Sequence, residues 1–481
     1  MSMSPTATVS RADAPSFAAL PVALALAAFA LCAFSLAVLN DGDTWSHVGT
    51  GEWILDHRAV PHVDPFSFTL AGEPWVAHEW LAEVLFALVY RAAGWAGVML
   101  LTGAAAATAT YVVARRVIAE LPGVGGPALT FVSLAMATPS LLARPHLLAL
   151  PVLAVWTAKL LEARDHDRPP PLALAALMIL WANLHGGFAF GLALILPFSA
   201  EAVWAAPSSQ KFAAVRGWVV FAILSFGAAL LTPFGVEGLL FPIRLVGASQ
   251  LVNIGEWRAE DFTHPGPLEI FLLCLIGFAL IRPLRLAPLR VVLLVGLVHM
   301  ALQHARHEML LAVVAPMLLA RPAAEALGLV AAPSLAARKW LAAGLVAALA
   351  LAGVRLARSL PELDTSSAPS RALAAVPEDL LGKPVLNSYS FGGFLIFAKV
   401  RPFIDGRADL YGAKFLTRYA RLSAGDVELL AETLKRYDIA WTLLSPDQGA
   451  VAALDKAPGW RRAYSDDHAV VHIRESHADA R

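Results

Sequence analysis

Long apolar stretches recur from the N-terminus to about residue 355, and they constrain the fold more than any other feature. The first, Phe17–Leu39, is long enough to cross a hydrocarbon core of about 30 Å as a helix that rises about 1.5 Å per residue. It is longer than the apolar core of a secretory signal, so we interpret it as a retained anchor. Further candidate spans lie at roughly 95–114, 126–143, 147–162, 171–184, 187–204, 217–232, 267–281, 288–303, 308–320 and 340–354. The sequence therefore predicts about eleven transmembrane helices, although the short pair 171–184 and 187–204 also fits one broken or re-entrant helix.

The composition supports a membrane protein and disfavours several soluble classes. Of the 481 residues, 58% are hydrophobic and 15% are charged, with a mean hydropathy of +0.62, whereas a soluble domain is about one quarter charged. Lysine and arginine number 37, as do aspartate and glutamate, so no basic excess attracts nucleic acid. Cys32 and Cys274 both lie in apolar runs, which leaves no disulfide framework or cysteine-rich metal site. A soluble enzyme, a DNA-binding protein and a secreted disulfide scaffold are all disfavoured.

The positions of the cations predict the orientation, because lysine and arginine accumulate in cytoplasmic loops. With the N-terminus in the cytoplasm, an odd number of spans leaves the hydrophilic C-terminal part on the outer side. The loops that then face the cytoplasm hold most of the cations, namely Arg115, Arg116, Arg164, Arg168, Lys211, Arg216, Arg282, Arg285, Arg290, Arg321, Arg338 and Lys339.

The segment after residue 355 has the pattern of a separate small domain. A polar linker, Pro361–Ser367, comes first. Short apolar runs typical of strands follow, and between them Ala424–Tyr437 has helical spacing of its apolar residues. We therefore expect a transmembrane module at residues 1–355 and a small extracytoplasmic α/β domain at 356–481. The strand-like runs are 384–387, 394–397, 441–444 and 469–473.

Nearly every polar cluster that could do chemistry falls at the outer end of a predicted span. The first outer loop, residues 40–94, is the longest and contains Asp41, Asp43, His47, His78 and Glu79. Ionisable groups at membrane depth are costly and usually functional, so their gathering on one face predicts a cavity that opens outward. Later outer ends add Arg144, His146, Asn183, His185, Glu256, Glu260, Asp261, His304, Arg306, His307 and Glu308.

Two segments of the first outer loop, 47–57 and 79–92, resemble helices that lie on the membrane surface. Such helices would cover a site at the bilayer surface, where a lipid-borne substrate arrives. Tryptophan rings settle at the headgroup level of a bilayer, and this region supplies Trp45, Trp53, Trp75, Trp80 and Trp95.

Two kinds of charged residue are candidates for chemistry in this cavity. Asp41 and Asp43 follow the first span directly, and a carboxylate there can deprotonate an acceptor or ligate a divalent cation. Capping of a helix end is the alternative for both. Arg144 and Arg306 suit a phosphate leaving group, since guanidinium binds phosphate bidentately. The positions of the two arginines are explained equally well if their side chains extend to the lipid headgroups at the membrane interface.

Histidine and amide side chains are weaker candidates. His304 and His307 share a helix face and could bind a metal together with His78, His146 or His185, although hydrogen-bonded packing is the more common role of single histidines. Together with the two arginines, these residues are also candidates for binding the substrate or its phosphate: His78, Glu79, His146, Asn183, His185, Glu256 and His304. Asn183 and His185 could line the cavity or satisfy a helix terminus beside a tight turn. Glu256, Glu260 and Asp261 could form a second acidic group or belong to a solvated loop.

Several motifs together resemble the GT-C superfamily of integral-membrane glycosyltransferases, which use polyprenyl-phosphate-linked sugars. The resemblance is nearest to a group of bacterial membrane proteins of this type that are mostly unassigned in substrate. It rests on the segments 41–47, 64–67, 75–80, 181–188, 392–395 and 403–412, together with the long first outer loop, the number of spans and the C-terminal domain. The Asp-x-Asp pair alone is weakly specific, whereas the motifs as a set are specific to the group.

The resemblance implies that the acidic residue at the outer end of the first helix is the catalytic base. Asp43, with Asp41, is the position that matches. The sequence departs from mannosyltransferases and aminoarabinose transferases, which have adjacent Asp-Glu at this point, so the choice between Asp41 and Asp43 stays open. The Trp-Trp-Asp signature of oligosaccharyltransferases is absent from the sequence, which argues against peptide N-glycosylation. The segment Asp405-Gly406-Arg407 is interpreted as a salt-bridged turn that docks the domain.

The expected function is that of a bacterial inner-membrane glycosyltransferase of inverting type. It would move a sugar from a polyprenyl-phosphate carrier to a lipid, glycan or protein acceptor on the outer face, with a divalent metal ion as a candidate cofactor held by Asp41, Asp43, His304 or His307. Nucleic acid is not an expected partner. An envelope-lipid transporter is disfavoured because such proteins need polar groups at mid-membrane and on both faces. A noncatalytic polymer-assembly subunit is the other alternative.

Overall fold

A computed structural model describes residues 17–246, 259–330 and 338–475. Within these ranges the chain forms nineteen α-helices and four β-strands. The first thirteen helices are α1 (Leu20–Phe34), α2 (Gly42–His57), α3 (Trp80–Glu120), α4 (Gly125–Ala137), α5 (Pro145–Asp165), α6 (Leu177–Leu184), α7 (Phe188–Ala205), α8 (Lys211–Ala229), α9 (Val236–Val246), α10 (Pro267–Ile281), α11 (Pro288–Gln303), α12 (Glu308–Ala326) and α13 (Arg338–Ala357).

Each of the eleven predicted spans coincides with helical structure in the described residues. In the part of the chain that the structure describes, seven helices are long and apolar enough to cross a membrane: Phe17–Phe34, Trp80–Glu120, Pro145–Asp165, Phe188–Ala205, Lys211–Ala229, Ala305–Ala326 and Arg338–Ala357. Shorter apolar helices occupy Leu172–Leu184, Pro267–Ile281 and Pro288–Gln303, and α4 accounts for the remaining predicted span. The protein is thus a polytopic α-helical membrane protein.

Helix α3 joins two elements that the sequence predicts as separate, the surface helix 79–92 and the span 95–114. The join is a kink at Ala93 and Gly94, where Gly94 has φ of 58° and ψ of −151°. Glycine is suited to this position because a Cβ disfavours positive φ. Helix α3 packs against α1, α2 and α5, so it connects the region of the first outer loop to the core of the bundle.

Two of the tryptophans expected at the headgroup level pack inside the protein instead. Trp45 is 4% exposed and Trp75 is 7% exposed. The Trp45 ring lies 4.2 Å from that of Trp95, 5.3 Å from that of Phe394 and 5.1 Å from that of Phe397. These aromatic contacts join α2, α3 and the C-terminal part, and such pairs add stability beyond the area that they bury.

The C-terminal part is a small mixed sheet surrounded by short helices. The strand order is β1-β2-β4-β3, with β1 parallel to β2 and the other neighbours antiparallel. The elements are α14 (Ser370–Ala374), α15 (Glu378–Leu381), β1 (Val385–Asn387), α16 (Gly392–Phe397), α17 (Ala408–Ser423), α18 (Val427–Arg436), β2 (Trp441–Leu444), α19 (Gly449–Leu454), β3 (Trp460–Ser465) and β4 (Val470–Arg474).

Three of the four strand-like runs form strands, and the predicted helix corresponds to α18. The exception is the run 394–397, which belongs to α16. A run of four apolar residues does not distinguish a strand from a buried helix turn. Here the helix is favoured by close packing against α2: a Cβ on Gly393 would overlap the carbonyl oxygen of Gly42, and one on Gly49 would lie 3.2 Å from the Phe397 backbone. The α2–α16 contact places the C-terminal part directly over the start of α2.

Cations at the opposite end of the bundle from Asp43 form ion pairs between helices. Arg116 of α3 and Arg290 of α11 each lie 2.8 Å from Asp165 of α5. Arg290 also lies 3.0 Å from Glu201 of α7, which pairs with Arg164 at 3.0 Å. Three cations predicted for the cytoplasmic loops therefore connect α3, α5, α7 and α11.

Candidate functional site

Two cavities meet beside the N-terminus of α2. The first, here called the polar cavity, has a volume of about 410 Å³ and is lined by residues of α2, the first outer loop and the C-terminal part. The second, here called the apolar cavity, has a volume of about 740 Å³ and is lined mostly by apolar side chains of several helices. Both cavities are lined by the same five residues at their junction, namely His78, Glu79, Leu142, Arg144 and Arg306.

The two aspartates at the start of α2 have different surroundings. Asp41 is the N-cap, and its Oδ1 accepts a hydrogen bond of 2.8 Å from the Asp43 backbone N–H. Asp43 lies in the first turn, where the helix dipole favours a negative charge. Its Oδ2 is 2.8 Å from Nη2 of Arg144, whereas the nearest ion-pair distance from Asp41 to Arg144 is 3.6 Å. Asp41 thus caps the helix, and both aspartates line the polar cavity.

Arg144 and Arg306 mark the boundary between the two cavities. Arg144 immediately precedes α5 and is oriented by its pair with Asp43, while Arg306 precedes α12. A phosphate at this boundary could bind guanidinium groups that offer several donors. The apolar cavity, lined by residues such as Leu153, Phe190 and Phe241, could then hold a hydrocarbon chain attached to that phosphate.

Glu79 lies at the centre of three imidazoles. Its carboxylate oxygens are 3.5 Å from Nε2 of His185, 3.6 Å from Nε2 of His78 and 3.9 Å from Nε2 of His47. Burial raises the pKa of Glu79 and lowers the pKa of each of the three histidines, most strongly for His185. Imidazole nitrogens and carboxylate oxygens form hydrogen bonds with hydroxyl groups, which suits recognition of sugar hydroxyls.

Glu83 is a cavity residue that the sequence analysis missed. It is 4% exposed and lies one helical turn after Glu79 in α3. Its Oε1 is 3.3 Å from Nδ1 of His47, so His47 bridges the two glutamates. The i, i+4 spacing of the two glutamates was the signal available in the sequence, since residues so spaced share a helix face.

The C-terminal part forms one wall of the polar cavity. Tyr389, Gly406, Arg407 and Asp409 all line it. The Asp409 carboxyl has a pKa raised by burial, and the negative charge of Asp405 adds to this, while His78 opposes it. The turn 405–407, interpreted from sequence as a docking feature, therefore contributes directly to the cavity that contains Asp43.

Arg407 ties this turn to the first outer loop. Its Nε and Nη2 donate to the Asp405 carboxylate at 2.8 and 2.7 Å, and its Nη1 donates to Asp64 at 2.8 Å. Burial opposes the charge of both Asp405 and Arg407, yet their mutual attraction lowers the pKa of Asp405 and raises that of Arg407. The guanidinium also lies 4.7 Å from the Trp75 ring centre and 5.2 Å from that of Phe66.

The remaining candidates differ in their positions. His146 and His307 line the apolar cavity, whereas His304 and Asn183 line neither cavity as described. The Asn183 side chain accepts a hydrogen bond of 2.7 Å from Trp80 Nε1 and donates hydrogen bonds to the carbonyl oxygens of Ile179 and Leu231. These bonds give Asn183 a packing role between helices. Glu256 lies outside the described residues. Among the described residues, no group of three or more His, Cys, Asp or Glu side chains has an arrangement that could hold a metal ion.

Solved structures resemble most of the chain. The apo Archaeoglobus fulgidus oligosaccharyltransferase is 12% identical, with a TM-score of 0.52 over 88% of this chain and 69% of that chain. ArnT from Cupriavidus metallidurans bound to undecaprenyl phosphate is 13% identical, with a TM-score of 0.51 over 96% of this chain and 98% of that chain. This chain has the GT-C fold.

The GT-C fold of the chain confirms the architecture expected from its sequence motifs. A second structure of the oligosaccharyltransferase, in complex with Zn and sulfate, is 13% identical with a TM-score of 0.49 over 89% of this chain and 68% of that chain. Neither a protein-family model nor a curated relative matches the sequence. The evidence for a specific chemistry on this GT-C fold therefore comes from the two cavities themselves.

Proposed function

We propose that the protein is a membrane glycosyltransferase that moves a sugar from a polyprenyl-phosphate carrier to an envelope acceptor, with Asp43 as the base. The observation that carries this proposal is the ion pair between Asp43, which lines the polar cavity, and Arg144, which lies at the junction of the polar and the apolar cavity in a GT-C fold. A lipid-linked sugar has the same division, because its phosphate separates a hydrophilic sugar from a hydrocarbon chain.

The donor would lie across the junction of the cavities. Its hydrocarbon chain would occupy the apolar cavity, its phosphate would bind Arg144 and Arg306, and its sugar would enter the polar cavity beside Glu79. The undecaprenyl phosphate bound to ArnT, a protein of the same fold, supports a polyprenyl carrier.

The reaction would be a displacement at the anomeric carbon. The acceptor hydroxyl or amine attacks that carbon while Asp43 takes its proton, and the bond to the phosphate oxygen breaks. The electron pair leaves with the polyprenyl phosphate, whose negative charge Arg144 and Arg306 stabilise. Attack opposite the leaving group inverts the configuration. Asp43 is a better candidate for the base than Asp41, because one Asp41 oxygen already caps α2.

The proposed orientation follows from the distribution of cations. The N-terminus would be cytoplasmic, and both cavities would open toward the outer face of a bacterial inner membrane. The transmembrane module would end near residue 355, and the C-terminal α/β domain would lie on the outer side, where a lipid, glycan or protein acceptor is available.

The test is complementation of a deletion strain with three versions of the gene at matched protein level. These are wild type, Asp43→Asn and a control, Asp447→Asn, at an exposed carboxylate of the C-terminal part. Envelope glycans and lipid-linked sugars are profiled in each strain. We expect a glycan sugar to disappear in the deletion strain, its lipid-linked form to accumulate, and only wild type and Asp447→Asn to restore it. Equal restoration by Asp43→Asn would overturn the role of Asp43 and favour a transporter or a noncatalytic assembly subunit.

A further inference from the structure

Gly406 of the C-terminal part approaches the Asp43 carboxylate so closely that no larger residue fits without moving it. A Cβ built on Gly406 would overlap Oδ1 of Asp43, and the atoms nearest to that Cβ are all in the Asp43 carboxyl group. Gly406 is not among the glycines with positive φ in the described residues. Space beside Asp43, and not backbone conformation, is therefore the reason for glycine at this position.

The backbone on both sides of Gly406 is fixed, so it has little freedom to retreat from Asp43. Asp405 is fully buried and accepts hydrogen bonds from the Arg407 side chain and from the Tyr411 hydroxyl, the latter at 2.8 Å. The Gly406 carbonyl accepts a hydrogen bond of 3.0 Å from the Tyr389 hydroxyl. Arg407 is in turn held by the buried Asp64 of the first outer loop.

Asp43 is thus contacted from two distant parts of the chain. Arg144 pairs with Oδ2, and the Gly406 backbone contacts the side of Oδ1. A short side chain such as aspartate has few rotamers, so a wall on one side and a cation on the other select one of them. A base must be aimed at the proton that it removes, and small misplacements of a reacting group reduce rates steeply.

We propose that Gly406 is a positioning residue for Asp43, and that the docked turn 405–407 completes the catalytic site. This inference rests on the proposed function of Asp43 as the base. It gives the C-terminal part a role in the reaction itself, because the Asp43 carboxylate would have a defined direction only while this turn is in place.

The first test is a double-mutant cycle with Gly406→Ala and Asp43→Asn, using purified protein and a polyprenyl-phosphate sugar. We expect Gly406→Ala to reduce kcat by about 10- to 100-fold, with little change in KM for the donor, because the added methyl group turns the base away from the acceptor. In the Asp43→Asn background the same substitution should reduce kcat by less than twofold. The control is Gly382→Ala, since a Cβ at Gly382 meets no atom within 4 Å. Activity of Gly406→Ala within twofold of wild type, or an equal loss in both backgrounds, would overturn the proposal.

The second test is a structural comparison that needs no turnover and separates the two proposals. In electron cryomicroscopy of wild type and Gly406→Ala in lipid nanodiscs, we expect the C-terminal part to stay docked and the Asp43 carboxylate to move away from Arg144 Nη2, which it approaches to 2.8 Å. An Asp43 carboxylate that keeps this position in Gly406→Ala would overturn the positioning role. Failure of the proposed function would appear differently, as equal transfer by wild type and Asp43→Asn.

Discussion

Arg407 donates a hydrogen bond of 2.8 Å to Asp64, a residue 343 positions earlier in the chain. Asp64 is buried in the first outer loop, where it also accepts hydrogen bonds from Ser67 and Phe66. The pair joins this loop to the C-terminal part beside the polar cavity. The candidate site is therefore assembled from α2, the first outer loop and a segment that the sequence predicts as a separate domain.

Arg407→Lys should weaken this junction. Lysine keeps the positive charge but cannot donate in the fixed fork that binds Asp405 and Asp64 together, so buried carboxylate oxygens would lose donors. We expect the free energy of unfolding to fall by about 1–3 kcal/mol. Thermal unfolding followed by tryptophan fluorescence measures this. Arg461→Lys, at an exposed position, serves as the control and should leave Tm unchanged; equal Tm values for the two variants would contradict the interpretation.

Acidification should remove the stabilising effect of Asp405. Arg407 lowers the pKa of Asp405 in the folded protein below its ordinary value, despite burial. A carboxyl group with a lowered folded pKa stabilises the protein above its unfolded pKa of about 3.9, and this stabilisation is lost as the pH falls through the folded value. Asp405→Asn should therefore be less stable than wild type at pH 7, and the difference should shrink below about pH 4. Tm measured from pH 7 to pH 3 tests this, and a difference that grows with acidification would contradict it.

The apolar spans could be predicted from sequence, but the partners of the polar residues could not. Hydrophobic length alone locates the helices, since a bilayer requires it. The contact of Gly406 with Asp43 depends on how α2 and the C-terminal part pack, and no local pattern encodes that packing. The glycines at 42, 393 and 406 belong to the sequence motifs. Why these positions need glycine is explained only by the structure, in which a Cβ at each of them would overlap a neighbouring segment.

The polar residues of the site show the same division. Asp41, Asp43, Arg144 and Arg306 could be predicted to lie near one another, because all four follow or precede the outer ends of predicted spans and these ends lie at the same face of the membrane. Asp409 was missed because it lies in a predicted separate domain. The sequence predicts the surface helix 79–92 as separate from the next span, because a glycine such as Gly94 is typical of a helix end, whereas in the structure it forms a kink within α3.

Arg306→Met should weaken binding of the donor phosphate. Charge-assisted hydrogen bonds contribute about 1.5–3 kcal/mol each, so we expect the Kd for undecaprenyl phosphate to rise by about 10- to 100-fold. The matched control is Arg244→Met, which removes an exposed cation from α9. Binding is measured by microscale thermophoresis in detergent. Equal affinity of Arg306→Met and Arg244→Met would show that Arg306 does not contact the phosphate.

Arg290→Met should destabilise the protein without changing transfer by the folded fraction. Arg290 lies far in sequence from its partners Asp165 and Glu201 and joins α11 to α5 and α7. Without Arg290, Asp165 keeps Arg116 and Glu201 keeps Arg164, so each carboxylate loses one of its two cations. We therefore expect the free energy of unfolding to fall by about 1–3 kcal/mol, less than for a buried charge left without any partner. Thermal unfolding and activity per folded molecule are compared with those of Arg285→Met, at an exposed position. A Tm equal to that of Arg285→Met would contradict the structural role of the network.

The proposed function requires that a sugar leaves a lipid phosphate beside Asp43. Its most direct test is release of free polyprenyl phosphate from a radiolabelled polyprenyl-phosphate sugar by protein reconstituted in liposomes, with an envelope extract as the source of acceptor. We expect release by wild type, release slowed at least about 100-fold by Asp43→Asn, and label recovered in the acceptor fraction. Equal release by wild type and Asp43→Asn, or movement of the intact lipid-linked sugar across the bilayer without release, would contradict it.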